Sequence, residues 1–200
     1  MKRKTIIWMG LITLFGFSLL GWLLIALTSE TTLPGLFSKG WPWYLQFPLG
    51  MIYGIAAAII GLAIINSNLL SDVRQFYYKL ILQMELKKTD IVFISLCAGI
   101  GEEMLFRGAL QPWMQELTGH HTGIWITSFI FVAIHGYLNP LNLKLSLYGL
   151  FMSFVITGMG YLYFYTGMIT VMAAHFAIDL LLLLKINTTG NQAEDAILST

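Results

Sequence analysis

Hydrophobic positions along this chain gather into six long stretches separated by short polar ones. Ile6–Leu27 carries no charged residue and follows Lys2, Arg3 and Lys4. A membrane-crossing helix takes about 20 apolar residues, within a range of about 17–25. The apolar region of a signal peptide is only about 7–15 residues long. The first stretch is therefore expected to be a retained helix, and no A-x-A-like cleavage site follows it. The second is Leu49–Leu70, where Gly50, Gly54 and Ala58 recur at every fourth position. Such a small-residue stripe lets helix backbones approach closely, here for packing within the bundle. The third starts at Ile91, stays apolar to Ile100, and then meets Glu102, Glu103 and Arg107. Pro112 is expected to break or bend that helix, because proline removes a donor and clashes with the preceding turn. Thr122–Leu138 is the fourth, stopped by Asn139 and Pro140, and Leu145–Phe164 is the fifth. A turn at Tyr165, Thr166 and Gly167 leads into the sixth, Met168–Leu184. Ser71–Asp90 is polar, but Val73, Phe76, Tyr77, Leu80, Ile81 and Met84 follow a 3.6-residue period. That pattern predicts a helix lying on the membrane surface.

The expected fold class is all-α: a polytopic membrane helix bundle of about six transmembrane helices around an interior polar cavity. Three parts follow. Residues 1–90 hold two membrane helices and the amphipathic segment. Residues 91–185 hold the helices with embedded polar groups, and 186–200 form a polar tail. Continuous rather than alternating stretches exclude a β-barrel.

Composition sharpens this picture. Of 200 residues 57% are hydrophobic and 10% charged, against roughly 25% charged in soluble domains. A formal net charge of +1 offers no basic field for nucleic acid. Cys97 is the single cysteine, so no internal disulfide or CxxC metal site exists. With the N-terminus inside, Lys2, Arg3, Lys4, Arg74, Lys79, Lys87, Lys88, Lys144 and Lys185 all fall on the cytoplasmic side, nine of the eleven basic residues. The positive-inside rule then gives six spans in the cell membrane with both termini cytoplasmic. Membrane lipid is accordingly an expected partner.

Six ionisable groups stand within the apolar stretches: Glu102, Glu103, Arg107, His135, His175 and Asp179. Each is costly in lipid, about 2.5–3.5 kcal/mol for Asp or Arg at a helix centre, so they must turn inward. Glu103 and Arg107 are four apart and share a face, which makes them an ion pair that orients the site. Glu102 is rotated by about 100° from Glu103 and has no local partner. His175 and Asp179 share a face, as do Phe131 and His135. A carboxylate with two imidazoles in a water-excluded cavity can activate a water, the carboxylate taking its proton. An imidazole or a metal would stabilise the oxyanion. Glu102, His135, His175 and Asp179 are donors that zinc accepts, although no HExxH spacing is present. Counted at 1.5 Å per residue, Glu102 lies roughly 16 Å from Ile91 and His175 roughly 10 Å from Met168. With His135 in the inner half, straight helices would leave these groups at different depths.

Glu102-Glu103-Met104-Leu105-Phe106-Arg107 resembles the EExxxR motif of the CAAX-protease and bacteriocin-processing (CPBP, or Abi) family of intramembrane endopeptidases. Phe131 to His135 is similar to its FxxxH motif, and His175 to Asp179 to its third, a histidine followed four residues later by Asn or Asp. The three occur in order on successive hydrophobic helices. The resemblance implies an endopeptidase acting on membrane-associated peptides or lipidated proteins. It implies Glu102 as general base, His135 holding or polarising the water, and His175 and Asp179 stabilising the oxyanion. Glu103, Arg107 and Phe131 would support them. Metal dependence varies with the family label, so zinc stays open. Asp179 stands where the CAAX-protease branch has Asn, and an ionised carboxylate cannot donate a hydrogen bond. It then acts protonated or orients His175. The alternative function is a non-catalytic bacteriocin-immunity or partner-binding membrane protein of the same fold. A proton relay is a third reading, without visible inverted repeats.

Overall fold

The computed structural model describes residues 3–28, 32–138 and 141–198, with side chains up to residue 189. Lys2 and the Asn139-Pro140 stop lie outside the described residues, as do the tail side chains beyond residue 189. The regular elements described are all helical. Four helices are long and apolar enough to cross a membrane: Arg3–Thr28, Trp43–Ile65, Leu143–Thr166 and Met168–Thr189. The first comprises α1 (Arg3–Ile12), a π turn (Thr13–Phe17) and α2 (Ser18–Thr28). A short α3 (Leu33–Ser38) precedes α4 (Trp43–Ile65). The amphipathic α5 (Ser71–Leu82) follows, then α6 (Lys88–Leu105). A π turn (Phe106–Leu110) joins α6 to α7 (Gln111–Thr118). The apolar α8 (His120–Ile134), α9 (Leu143–Thr166) and α10 (Met168–Leu198) complete the bundle. This is a helical membrane bundle, and the chain is an integral membrane protein.

Several boundaries differ from those read off the sequence. The second apolar helix starts at Trp43 and ends at Ile65 rather than spanning 49–70. It starts directly after Pro42 and runs through Pro48, which lies inside the helix. Pro112 does not break its helix. It occupies the first turn of α7, just after a π turn in which Gln111 N–H bonds to the Phe106 carbonyl. A proline there is accommodated because the widened turn has already shifted the hydrogen-bond ladder. α10 continues past Lys185, with Ile186 and Asn187 buried, so the polar tail begins as helix. The helix is held there by packing rather than by its own polar sequence.

α10 is fixed from one side by α4. A Cβ on Gly50 or Gly54 would collide with the α10 backbone at Thr170 or Ala174. The stripe Gly50, Gly54, Ala58 is buried as internal packing. Gln46, also buried, holds the start of α10. Its Oε1 accepts hydrogen bonds from Ile169 N–H at 2.9 Å and Thr170 N–H at 3.3 Å. These are donors that a helix start leaves without internal partners. The opposite face of α10 is thereby presented to α6, the other helix that carries paired polar groups.

At the end where the chain starts, Arg3 and Asp90 form a two-pronged ion pair, with Arg3 Nη2 donating to Asp90 Oδ1 at 2.7 Å. Ile6, Leu86 and Ile91 pack together beside it, with Leu184 of α10 against them. α5 buries Val73 and Ile81 and leaves Phe76 exposed. Lys144, just inside α9, donates to Asp72 of α5 at 2.7 Å. Lys39 lies at the other end, sharing a cavity rim with His120, Pro112 and Gly167. The basic residues thus cluster where α1, α5, α6 and α9 begin and α10 leaves the bundle.

Candidate active site

The two adjacent glutamates of α6 point to different surroundings, as a rotation of about 100° per residue requires. Glu103 is wholly buried, and so is Arg107 in the π turn. Their charged groups lie 3.5 Å apart, Arg107 Nε to Glu103 Oε2. Arg107 Nη2 also donates to the Ile156 carbonyl of α9 at 2.9 Å. Its guanidinium carbon sits 5.2 Å from the centre of the Phe131 ring, within reach of a cation–π attraction. The expected pair is present, and it has a third member. Glu103 Oε1 accepts a 2.8 Å hydrogen bond from His175 Nδ1 on α10. Spacing along one helix could not reveal that partner, because it comes from another element.

Glu102 faces the two histidines. His135 Nε2 lies 3.3 Å from Glu102 Oε2, and His175 Nε2 lies 4.0 Å from the same oxygen. Asp179 Oδ2 is 3.6 Å from His175 Nε2, as their spacing on one helix face implies. Glu102, His135, His175 and Asp179 therefore come together from three helical segments. The depth mismatch computed for straight helices does not arise. α8 ends at Ile134, and His135 is the first residue beyond it, free to turn toward α6.

The hydrogen bonds set the tautomers. His135 Nδ1 lies 2.7 Å from the Phe131 carbonyl, which can only accept, so Nδ1 carries a proton. His175 Nδ1 donates to the Glu103 carboxylate in the same way. With Nδ1 protonated on both rings, each Nε2 faces Glu102 Oε2. Buried acceptors that face each other at 3.3–4.0 Å need a proton or a water hydrogen between them. His175 also lies within 4.0 Å of three carboxylates, Glu102, Glu103 and Asp179.

Asp179 opens the site to a cavity of about 260 Å³. Leu62, Leu80, Leu182, Tyr77, Tyr137 and Tyr148 are among the residues around it. A smaller cavity between α1 and α6 also reaches Asp179. Both are largely apolar. His120 and His121 lie elsewhere, with His121 Nδ1 3.0 Å from the Tyr161 hydroxyl. Cys97 is buried.

Zinc was a candidate for Glu102, His135, His175 and Asp179. Among the described residues, no group of three or more His, Cys, Asp or Glu side chains is arranged to hold a metal ion. The donor set is chemically suitable, but both imidazoles aim at one carboxylate oxygen instead of surrounding a common point.

Phe131 stacks on His135 at 4.3 Å between ring centres, and Phe106 meets Phe131 edge-on at 4.8 Å. Tyr137 is a neighbour that periodicity did not single out. It lies near-parallel to the His135 ring, at 6.3 Å. Its only cue in the sequence is Gly136, a turn residue that allows the chain to fold back.

Residues 85–181 match the family model described as Rce1-like, Type II CAAX prenyl endopeptidase Rce1-like. An uncharacterized protein of Bacillus subtilis (strain 168), YpbD, is 40% identical over 91 residues. The match covers 44% of this chain and 41% of that protein, so the chain aligns with less than half the length of this curated relative. No solved structure matches the chain. All seven residues singled out from the sequence fall inside the family match.

Proposed function

We propose, from the match of residues 85–181 to the Rce1-like model of type II CAAX prenyl endopeptidases, that this chain is an intramembrane endopeptidase in which Glu102 activates the attacking water. The observation that carries this reading is the aim of two imidazole Nε2 atoms at one oxygen, Glu102 Oε2, at 3.3 and 4.0 Å. A water beside these groups gives one hydrogen to Glu102 Oε2 and the other to His135 Nε2, and turns a lone pair toward a peptide carbonyl. Glu102 takes the proton as the oxygen attacks, a role worth about 10²–10⁴ in rate.

His135 holds the water in line. His175, kept in orientation by Glu103 and surrounded by carboxylates, bears positive charge and stabilises the developing oxyanion. An ionised Asp179 cannot donate to that oxyanion, so its role is to support the charge on His175. Arg107 neutralises Glu103 from below. The tetrahedral intermediate collapses when Glu102 returns the proton to the leaving nitrogen.

The substrate class that fits the apolar cavity reaching Asp179 is a membrane-associated peptide or lipidated protein. The basic residues at the end where α1, α5, α6 and α9 begin support an orientation with that end, and both termini, on the cytoplasmic side of the cell membrane.

The test compares new peptide ends in membranes carrying the wild-type chain or Glu102→Ala at matched levels, catalogued by mass spectrometry. Ends found only with wild type establish proteolysis and give the cleavage sequence. Matching catalogues from two folded proteins would move the partner-binding reading ahead.

A further inference from the structure

We infer that Tyr137 is a positioning residue that keeps the His135 imidazole aimed at Glu102, an inference that rests on the proteolytic reading for its effect on turnover. His135 needs such help more than any other member of the site. It sits beyond the end of α8 rather than within a helix. Its side chain is 32% exposed, while His175 is 9% exposed. One hydrogen bond, from Nδ1 to the Phe131 carbonyl, fixes a pivot but leaves the ring free to swing about it.

Two aromatic planes restrict that swing. Phe131 lies 16° from the imidazole plane and Tyr137 11°, with centres 4.3 and 6.3 Å away. Phe131 belongs to the recognised FxxxH pattern and is set by its own helix. Tyr137 belongs to no pattern, yet the fold takes trouble to seat it. Gly136 has φ +74°, a left-handed conformation that lets the chain reverse and bring Tyr137 back over His135. Gly149 of α9 makes room for it. A Cβ there would lie 2.8 Å from the Tyr137 carbonyl oxygen and 2.9 Å from its Cβ. Tyr148 then contacts the Tyr137 ring at 5.8 Å, and Tyr77 of α5 reaches it at 6.4 Å. Tyr137 is thus pinned from two elements while its ring parallels the imidazole. The group that parallels the imidazole is the ring, so the ring is the part that aims it.

The test uses the 200-residue chain in membranes. Carbethoxylation by diethyl pyrocarbonate is followed at His135 by peptide mass spectrometry, with the exposed His120 and His121 as internal references. A ring held against its neighbours reacts slowly. Tyr137→Leu is expected to raise the His135 rate about fivefold over the references, the size of one lost aromatic pair, and Tyr137→Phe to leave it unchanged. In the cleavage assay Tyr137→Leu should lower kcat about fivefold with KM unchanged, and Tyr137→Phe should restore it.

An unchanged His135 rate in Tyr137→Leu overturns the inference, whatever happens to cleavage; a fall in cleavage alone would place Tyr137 on the substrate instead. A faster rate in a protein whose wild type cleaves nothing upholds the aiming role and removes the proteolytic reading. If Tyr137→Leu does not fold, Tyr77→Leu removes the ring behind Tyr137 and should raise the rate about twofold. No change there overturns the inference equally.

Discussion

Glu103 on α6 accepts a 2.8 Å hydrogen bond from His175 on α10, across 72 positions of sequence. Its second oxygen lies 3.5 Å from Arg107 Nε. One buried carboxylate therefore ties two helices together, fixes the tautomer of an imidazole and neutralises a guanidinium. The neighbouring Glu102 does none of these. Its Oε2 accepts no hydrogen bond from the described residues, although it is buried.

That contrast predicts opposite stability effects for two adjacent substitutions. Glu102→Gln should abolish cleavage, with a loss of about 10²–10⁴. Its melting temperature should equal or exceed that of wild type, because a buried charge set among acceptors is removed. Glu103→Gln should lower cleavage by about 10–100-fold through a misdirected His175 and should also melt earlier. Thermal denaturation in detergent alongside the cleavage assay reads both. Equal melting losses for the two variants would show that the glutamates are not divided in this way.

Arg107 supplies a second test of the same unit. Glu103→Ala leaves an unpaired buried guanidinium and should cost about 3–5 kcal/mol. Arg107→Met leaves Glu103 with His175 as its remaining partner and should cost less. The double variant, Glu103→Ala with Arg107→Met, should be less destabilised than the sum, since neither charge of the pair is left buried alone, while the loss of the His175 Nδ1 acceptor remains. Simple additivity in a double-mutant cycle would mean that the 3.5 Å approach carries no coupling.

Much of this architecture is legible in the sequence, and the part that is not has a definite reason. Six apolar stretches announce six helical segments because lipid demands internally bonded backbone over a fixed length. Polar groups inside them announce a site because lipid penalises them everywhere else. Face-sharing partners four apart, such as His175 with Asp179, are also readable. Contacts between elements are not. The bond from His175 to Glu103, the carbonyl of Ile156 under Arg107, and the return of Tyr137 over His135 depend on how separate helices dock. The π turn at Phe106–Leu110 is equally invisible to a 3.6-residue period, and it is what carries the chain past Pro112. The mismatch in depth implied by counting each helix separately disappears once the helices are docked, with His135 just beyond the end of α8.

The close packing of α4 on α10 yields a prediction about the scaffold. A Cβ on Gly54 would lie 2.8 Å from the Ala177 Cβ and still nearer the Ala174 carbonyl oxygen. Neither is a flexible side-chain end, so the helices must separate. Gly54→Ala should cost about 1–3 kcal/mol, the usual penalty for overpacking, and should reduce cleavage by shifting His175. Gly16→Ala is the control, since its Cβ would meet only Ile12 Cγ2 at 3.7 Å, an ordinary contact. A Gly54→Ala protein as stable and active as Gly16→Ala would show that the stripe does not set the helix separation.

Stability should also depend on pH through the pair at the start of the bundle. Asp90 precedes the third apolar stretch, and its carboxyl is held down at about 2, first by Arg3 and also by the Lys87 N–H that donates to it at 2.9 Å. An unfolded Asp titrates near about 3.9. The folded value is the lower one, so the unfolded chain binds more protons in this window and stability rises with pH. The contribution is complete above about pH 4 and drains away as the pH falls toward about 2. Arg3→Ala removes the main cause of the shift. Wild type should therefore melt higher than Arg3→Ala by a constant margin at neutral and mildly acidic pH, and the margin should narrow below about pH 4. Melting temperatures of both proteins in detergent, taken from pH 7 down to about pH 2, measure it. A margin that persisted unchanged at the acidic end would mean that Arg3 acts through packing against Ile6 and Leu86 rather than through the Asp90 charge.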